Sequence, residues 1–268
     1  LKAVLIGDVV GKPGRRLVRE YLPLMRKRGV DFAVVNAENS AGGSGITRST
    51  VAEIFESGAH VITTGDHVFR NKEAQEFIHE SPRILRPENM SRRALGHGST
   101  VVEAGGFRIA VVNLIGRVFM PPADCPFSAA DEILATLPGG VFCVFVVFHA
   151  EATSEKIAMG LYLDGRVTAV VGTHTHVQTA DETVLPGGTA YVTDLGMTGP
   201  HDSVIGRDAA AVLHGFTTGM PGRFEVAKGN PMMCGALVEF DAETGKALSI
   251  RRFRLPEGGG EEALEGLL

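Results

Sequence analysis

Val170-Val171-Gly172-Thr173-His174-Thr175-His176 is the stretch from which the rest of the chain is read. It closes a run, residues 166–171, with the apolar character of a buried strand. Gly172 permits a turn or a close backbone approach. On an extended backbone residues i and i+2 face the same side. His174 and His176 are therefore expected to project together just past the strand's carboxyl end. Open α/β sheets place their ligands at such ends. Alone, the pair reads equally well as two solvated loop histidines. Other expected strands also end in Asp, Glu, Asn or His, and they shift that balance.

Those strands are Lys2 to Ile6, ending Gly7-Asp8; Phe32 to Val35, ending Asn36-Ala37-Glu38-Asn39; His60 to Thr63, ending Thr64-Gly65-Asp66-His67; and Val141 to Phe148, ending His149-Ala150-Glu151. A further strand, Thr189 to Thr193, ends at Asp194. Helical spacing covers Arg15 to Arg28, with Leu17, Tyr21, Leu24 and Met25 on one stripe. Pro23 is expected to kink or split it. Thr47 is expected to cap a helix running to about Ser57. Further helices are expected over Arg70 to Glu80, over Ala129 to Leu137, and from a Thr153 or Ser154 cap to Leu163. Gly105-Gly106 and Glu243-Thr244-Gly245 each separate two strand-like runs, which signals two hairpins. Strands alternating with helices make this an α/β chain. It reads as one domain over residues 1–255, followed by an acidic, glycine-rich tail (256–268) expected to fray.

The 268 residues are 44% apolar, enough for a sizeable core, yet no run of about 18 apolar residues suggests a transmembrane helix. The first ten residues look like a strand rather than a signal peptide. A net charge of −5 argues against duplex nucleic acid as a stable partner, which needs a basic face. It leaves a small phosphorylated or nucleotide substrate open. Cys125, Cys143 and Cys234 match no metal or redox spacing. Unpaired cysteines fit a reducing, cytoplasmic location. Trp is absent and aromatics are 6%, so stacking on bases is not a theme.

The strand ends collect Asp8, Glu38, Asn39, Asp66, His67 and His149, to which the histidine pair adds two imidazoles. Each has a plain alternative: Asp8 can cap a helix, Asn39 can shape a turn, and His149 can be a satisfied core histidine. Taken together, oxygen and nitrogen donors without thiolate suit divalent iron or manganese, with zinc possible. They are too many for one four-coordinate ion and suit two ions sharing a carboxylate, an arrangement that clamps a phosphoryl group. His67 is left over as a proton donor, or else as a further ligand. Gly7 to Lys12 has the wrong spacing for a phosphate-binding loop, and no Gly-x-Ser-x-Gly elbow is present. Gly42-Gly43-Ser44-Gly45 reads as a flexible turn or, equally, as backbone N–H groups offered to a substrate phosphate, with the turn preferred. Lys12, Arg70 and His201 are candidate substrate contacts by sequence proximity alone.

Gly7-Asp8, Glu38-Asn39, Gly65-Asp66-His67, His149 and Gly172-Thr173-His174-Thr175-His176 together resemble the calcineurin-like metallophosphoesterases. Asn36-Ala37-Glu38-Asn39-Ser40-Ala41-Gly42-Gly43, Arg86-Pro87-Glu88-Asn89-Met90 and Asp194-Leu195-Gly196-Met197-Thr198-Gly199-Pro200 resemble, more closely, the bacterial YmdB-type branch. The resemblance runs from Lys2 to about Leu255. Three positions depart from the broad pattern: Val10 stands in place of a histidine, Glu38 in place of the bridging Asp, and Asp66 in place of an Asn. The resemblance implies two packed β-sheets flanked by helices, a four-layer sandwich. It also implies a di-metal phosphodiesterase for small cyclic nucleotides, including the 2′,3′-cyclic type. Asp8, Glu38, Asn39 and His176 would hold one ion, and Glu38, Asp66, His149 and His174 the other. A hydroxide between the ions would attack phosphorus, with His67 as the proton donor. The alternatives are a phosphomonoesterase, or a metal-binding regulatory protein of slow turnover. A homo-oligomer is expected.

Overall fold

The apolar runs are apolar throughout because both faces of their strands are covered. In the computed structural model, which describes residues 1–223 and 225–268, the elements in chain order are β1 (Lys2–Ile6), β2 (Asp8–Val9), α1 (Gly11–Lys27), β3 (Phe32–Asn36), α2 (Arg48–Glu56), β4 (Val61–Thr63), α3 (Ala74–Phe77), β5 (Ile84–Leu85), β6 (Ser99–Ala104), β7 (Phe107–Ile115), α4 (Pro126–Thr136), β8 (Cys143–His149), α5 (Thr153–Tyr162), β9 (Ala169–Thr173), β10 (Thr183–Val184), β11 (Ala190–Val192), β12 (Met197–Asp202), α6 (Ala209–Thr218), β13 (Gly229–Phe240) and β14 (Ala247–Pro256). An eight-stranded sheet has the order β2-β12-β13-β1-β3-β4-β5, with β14 also paired to β13; a six-stranded sheet has the order β10-β11-β9-β8-β7-β6.

Side chains alternate along each strand, and here the alternation sorts them between cores. Ala3, Leu5, Phe32 and Val34 of the first sheet meet Phe145, Val147 and Val171 of the second. Their neighbours Val4, Ile6, Ala33 and Val35 face Leu17, Tyr21, Val51 and Ile54 of α1 and α2. On the far side Val144, Val146, Phe148 and Val170 pack with Ile133, Met159 and Leu163. The layers are helix, sheet, sheet, helix, the four-layer arrangement expected.

Local expectations met tertiary corrections. α1 is not split at Pro23. That residue lies on the exposed face, where water can take the carbonyl that proline's missing N–H leaves unbonded. α2 begins at Thr47 as expected, with a reciprocal capping box to Thr50. The polar stretch 70–80 forms only the four-residue α3 and a 3-10 turn, Ile78–Glu80. α5 has Ala152 at its N-cap, without a side-chain cap. The C-terminal segment, expected to fray, is packed against the fold. Leu264 is fully buried in the core over α1, Glu20 accepts the Gly258 amide, and Arg251 donates to the carbonyls of Gly266 and Leu267. β2, β12 and α6 have no counterpart in the local reading. Both hairpins form as expected.

Candidate metal centre

β1, β3, β4 and β5 pair in parallel in one sheet, as do β7, β8, β9 and β11 in the other. Their carboxyl ends therefore share an edge, and the two edges meet. β1 delivers Asp8, β3 delivers Glu38 and Asn39, β4 delivers Asp66 and His67, β8 ends in His149, and β9 leads to His174 and His176. At Gly65 an added Cβ would lie 2.2 Å from His149 Nε2 and 2.3 Å from Glu38 Oε2, so only glycine lets this backbone pass beside the donors.

Donor atoms of Glu38, Asp66, His149 and His174 all lie within 4.8 Å of one another, a group that can hold a metal ion. His149 Nε2 is 3.2 Å from Asp66 Oδ1 and 3.4 Å from Glu38 Oε1. His174 Nδ1 is 3.0 Å from His149 Nε2. Beside them, His176 Nε2 is 3.2 Å from Asn39 Nδ2 and 3.9 Å from Asp8 Oδ1. Asn39 Nδ2 also donates to Glu38 Oε1 at 3.1 Å, which leaves Glu38 between the two groups. His67 Nδ1 stands 2.8 Å from Asn39 Oδ1, and its Nε2 is 3.5 Å from Asp66 Oδ2.

The histidine pair does not sit on an extended backbone. His174 has φ 100° and His176 φ 64°, both left-handed, so the rings diverge to different partners rather than sharing one face. Oxygen partners orient each ring. His176 Nδ1 donates to the Ile205 carbonyl at 2.9 Å, which turns Nε2 toward Asn39 and Asp8. His149 Nδ1 pairs with Thr173 Oγ1 at 2.9 Å, itself held by Asn36 Nδ2 at 3.3 Å. His174 Nε2 meets Glu151 at 3.1 Å. Such outer partners set the tautomer and the basicity of a ligating imidazole. Thr173, Asn36, Glu151 and Ile205 carried no role in the local reading, because a residue that acts through another leaves no spacing signal.

The electrostatics fit a cation. Asp8 is fully buried, and its Oδ1 has no hydrogen-bond partner; burying an unpaired carboxylate oxygen is costly unless a positive charge meets it. Burial pushes Glu38 up, and Asp8 and Asp66 push it further, against the pull of His149. His149 is pushed above the usual histidine range: burial opposes this, but the Glu38, Asp66 and Asp8 carboxylates outweigh it. Burial also acts to raise Asp66, yet the hydrogen bond and charge of His149, with His67 and His174, hold it well below the carboxylate range. Burial and the neighbouring His149 bring His174 down to about 4. Burial lowers His67 too, with Arg70, His149 and Arg207 adding to it and Asp66 opposing. Three clustered carboxylates thus draw a proton onto His149, the positive charge that a cation would replace.

The centre floors a cavity of about 530 Å³. Gly42, Gly43, Ser44, Ile205, Gly206, Arg207, Glu225 and Val226 also line it, with Val226 packed beside Gly43. Lys12, Arg70 and His201 are absent from the lining, and His201 is bonded to the Met197 carbonyl and Arg254 instead.

A family model described as YmdB-like protein matches residues 4–253. The chain is 47% identical over 253 residues to the 2′,3′-cyclic-nucleotide 2′-phosphodiesterase of Bacillus subtilis (strain 168), covering 94% of this chain and 96% of that protein. It superimposes with a TM-score of 0.90 and 33% identity on the crystal structure of a novel phosphatase from Mycoplasma pneumoniae, over 96% of that chain and 99% of this one. A 5′-nucleotidase precursor from Thermus thermophilus, 16% identical, shares the fold with a TM-score of 0.59 over 98% of this chain and 57% of its own. With a calcineurin-like metallophosphoesterase fold and a match over nearly its whole length, this chain belongs to the YmdB-like protein family.

Proposed function

We propose that the protein is a di-metal phosphodiesterase acting on small cyclic nucleotides, the 2′,3′-cyclic type among them. The observation that carries this reading is Glu38 lying between two donor groups, one of which leaves the buried Asp8 Oδ1 without a hydrogen-bond partner. Asp8, Glu38, Asn39 and His176 would hold one ion; Glu38, Asp66, His149 and His174 would hold the other. Iron or manganese suits this mixed oxygen and nitrogen set, with zinc as the further candidate. When bound, such a pair neutralises charge on phosphoryl oxygens and lowers the pKa of water.

The chain's own groups do the rest. His67 lines the cavity, its Nδ1 held 2.8 Å from Asn39 Oδ1. It would protonate the departing oxygen as an imidazolium, since a neutral ring that gave up its one proton would leave an imidazolate. Burial opposes that charged form, and Asp66, 3.5 Å from Nε2, favours it. The B. subtilis relative supports the cyclic-nucleotide substrate. The M. pneumoniae relative, described as a phosphatase, favours phosphomonoesters as a second reading. The test is turnover of 2′,3′-cyclic AMP, bis(p-nitrophenyl) phosphate and p-nitrophenyl phosphate by metal-loaded protein. Diesters are expected to dominate, with loss of about 10²-fold or more in His67→Ala and near-complete loss in Asp8→Ala/Glu38→Gln. Turnover indifferent to a chelator and to the double variant refutes the proposal.

The same reading places the protein in the cytoplasm, supported by three free cysteines. Among the described residues no helix is long and apolar enough to cross a membrane. Assembly with further copies is part of the proposal, supported by the exposed Leu213, Phe216 and Met220 on and beside α6. Sedimentation equilibrium should return a mass above 28.4 kDa; a monomer at tens of micromolar refutes it.

A further inference from the structure

The backbone of His174-Thr175-His176 is held in a conformation its residues disfavour. Both histidines lie at positive φ, a region avoided by residues with a Cβ and retained only where the surroundings over-determine it. The surroundings here centre on Asp194. Its Oδ2 accepts from the Thr175 amide at 3.2 Å and the Thr175 hydroxyl at 2.7 Å. Its Oδ1 accepts from the Gly196 amide at 2.8 Å. Lys156 Nζ donates to the same Oδ2 at 2.7 Å. Asp194 is 0% exposed and Lys156 1%. Backbone bonds brace the arrangement: Leu195 N–H donates to the Gly172 carbonyl at 2.9 Å, and Thr179 N–H to the Asp194 carbonyl at 3.2 Å.

Two features show that this pair does more than fill space. A Cβ at Gly172 would lie 2.8 Å from Lys156 Cδ and 1.8 Å from the Thr193 carbonyl oxygen, so the glycine before the histidines admits the lysine stem. A buried ion pair is also a poor source of stability, since apolar residues of similar volume usually do as well. What it supplies is direction: one carboxylate oxygen grips both polar hydrogens of the residue between the two histidines. Lys156 lies on α5, which begins four residues after His149, so the pair also ties the end of β8 to the turn after β9.

We infer that Asp194, charge-balanced by Lys156, is a positioning residue that fixes the spacing of His174 and His176 by clamping Thr175. One ring thereby meets Asp66 and His149, and the other meets Asp8 and Asn39. The inference rests on the metal centre proposed above. Thr175→Val deletes the clamped hydroxyl and keeps the ion pair; Thr175→Ser restores the hydroxyl. Lys156→Met/Asp194→Asn removes both charges together, so neither is left buried alone. Mn²⁺ titration of metal-free protein by calorimetry is read beside amide hydrogen exchange at Thr175 and melting temperature.

The expected result is Mn²⁺ affinity about 10–100-fold weaker in Thr175→Val and in the double variant. Thr175 exchange should be faster in both, with a melting temperature near wild type for Thr175→Val and recovery in Thr175→Ser. In turnover, kcat should fall while KM holds. Wild-type protein that binds two Mn²⁺ while both variants match its affinity and its Thr175 exchange overturns this inference alone. Wild-type protein that binds no Mn²⁺ overturns the proposed centre, and the inference with it.

Discussion

Single side chains here are set by what burial does to their charge. His60 is a case away from the centre. Its Nδ1 accepts the Ala33 amide at 3.1 Å, and its ring leans on Phe32 at 5.1 Å. Burial, with Arg26 and Arg83 adding repulsion, lowers its pKa to about 4 from 6.5. Between those values the unfolded chain binds the proton and the folded one does not, so stability rises with pH there. The His60 contribution is complete above pH 6.5 and is lost as pH falls toward 4. Denaturant melts of His60→Asn, which keeps an acceptor for Ala33, should show a shallower loss of stability over that window than wild type; equal slopes refute the assignment. The same physics at the centre concentrates three carboxylates where only positive charge makes burial tolerable. The donor residues were legible one by one because each stands directly after an apolar strand. The directions of the two histidine rings were not: the i, i+2 rule assumes an extended backbone, and His174 and His176 both lie at positive φ.

Elements differ in how much of their fate is local. β8 was readable because a strand covered on both faces must be apolar at every position. Phe145 lies in the layer between the sheets, fully buried, edge-on to Phe240 at 5.3 Å and tilted against Phe32 at 5.7 Å. Phe145→Ala should cost about 3–5 kcal/mol, the range for an aromatic cavity that cannot collapse. Urea melts should show the midpoint falling with the slope unchanged; a loss under about 1 kcal/mol would mean the sheets close over the gap. The Gly105-Gly106 and Glu243-Thr244-Gly245 hairpins were equally plain, since turn chemistry is local. α6 has apolar residues at helical spacing, Ala209, Val212, Leu213 and Phe216, but the fold buries only Val212 of them, so the stripe does not mark a core-facing helix. β12 pairs with β2 and β13, partners far away in sequence, and its Gly199-Pro200 pair carries no strand signal of its own.

At the scale of the molecule, two parallel edges meet, and the cavity is the seam between them. A ligand that binds only the folded state stabilises it by mass action. Mn²⁺ at a hundred times its dissociation constant should therefore add about 2.7 kcal/mol. For a chain of this size that raises the melting temperature by about 5–10 °C. Calorimetric scans with and without Mn²⁺, and after a chelator, check this; identical melting temperatures argue against a centre that forms only on folding. The lining stretch Ile205 to Arg207 with Glu225 and Val226 had no motif to mark it, since lining residues need only shape and reach. The C-terminal segment misled for a related reason. Its glycines and acids look solvent-bound, yet Leu264 finds a place over α1 that no local pattern describes.

From the sequence alone came the kinds of donor, their places at strand ends and the α/β alternation, because each follows from neighbours within a few residues. That Asp8 and His176, 168 positions apart, belong together came only with the family resemblance; tertiary structure alone decided the 3.9 Å between them and which nitrogen each histidine presents. Those depend on how two sheets pack and how their edges align, a sum of contacts between distant segments that no window along the chain contains.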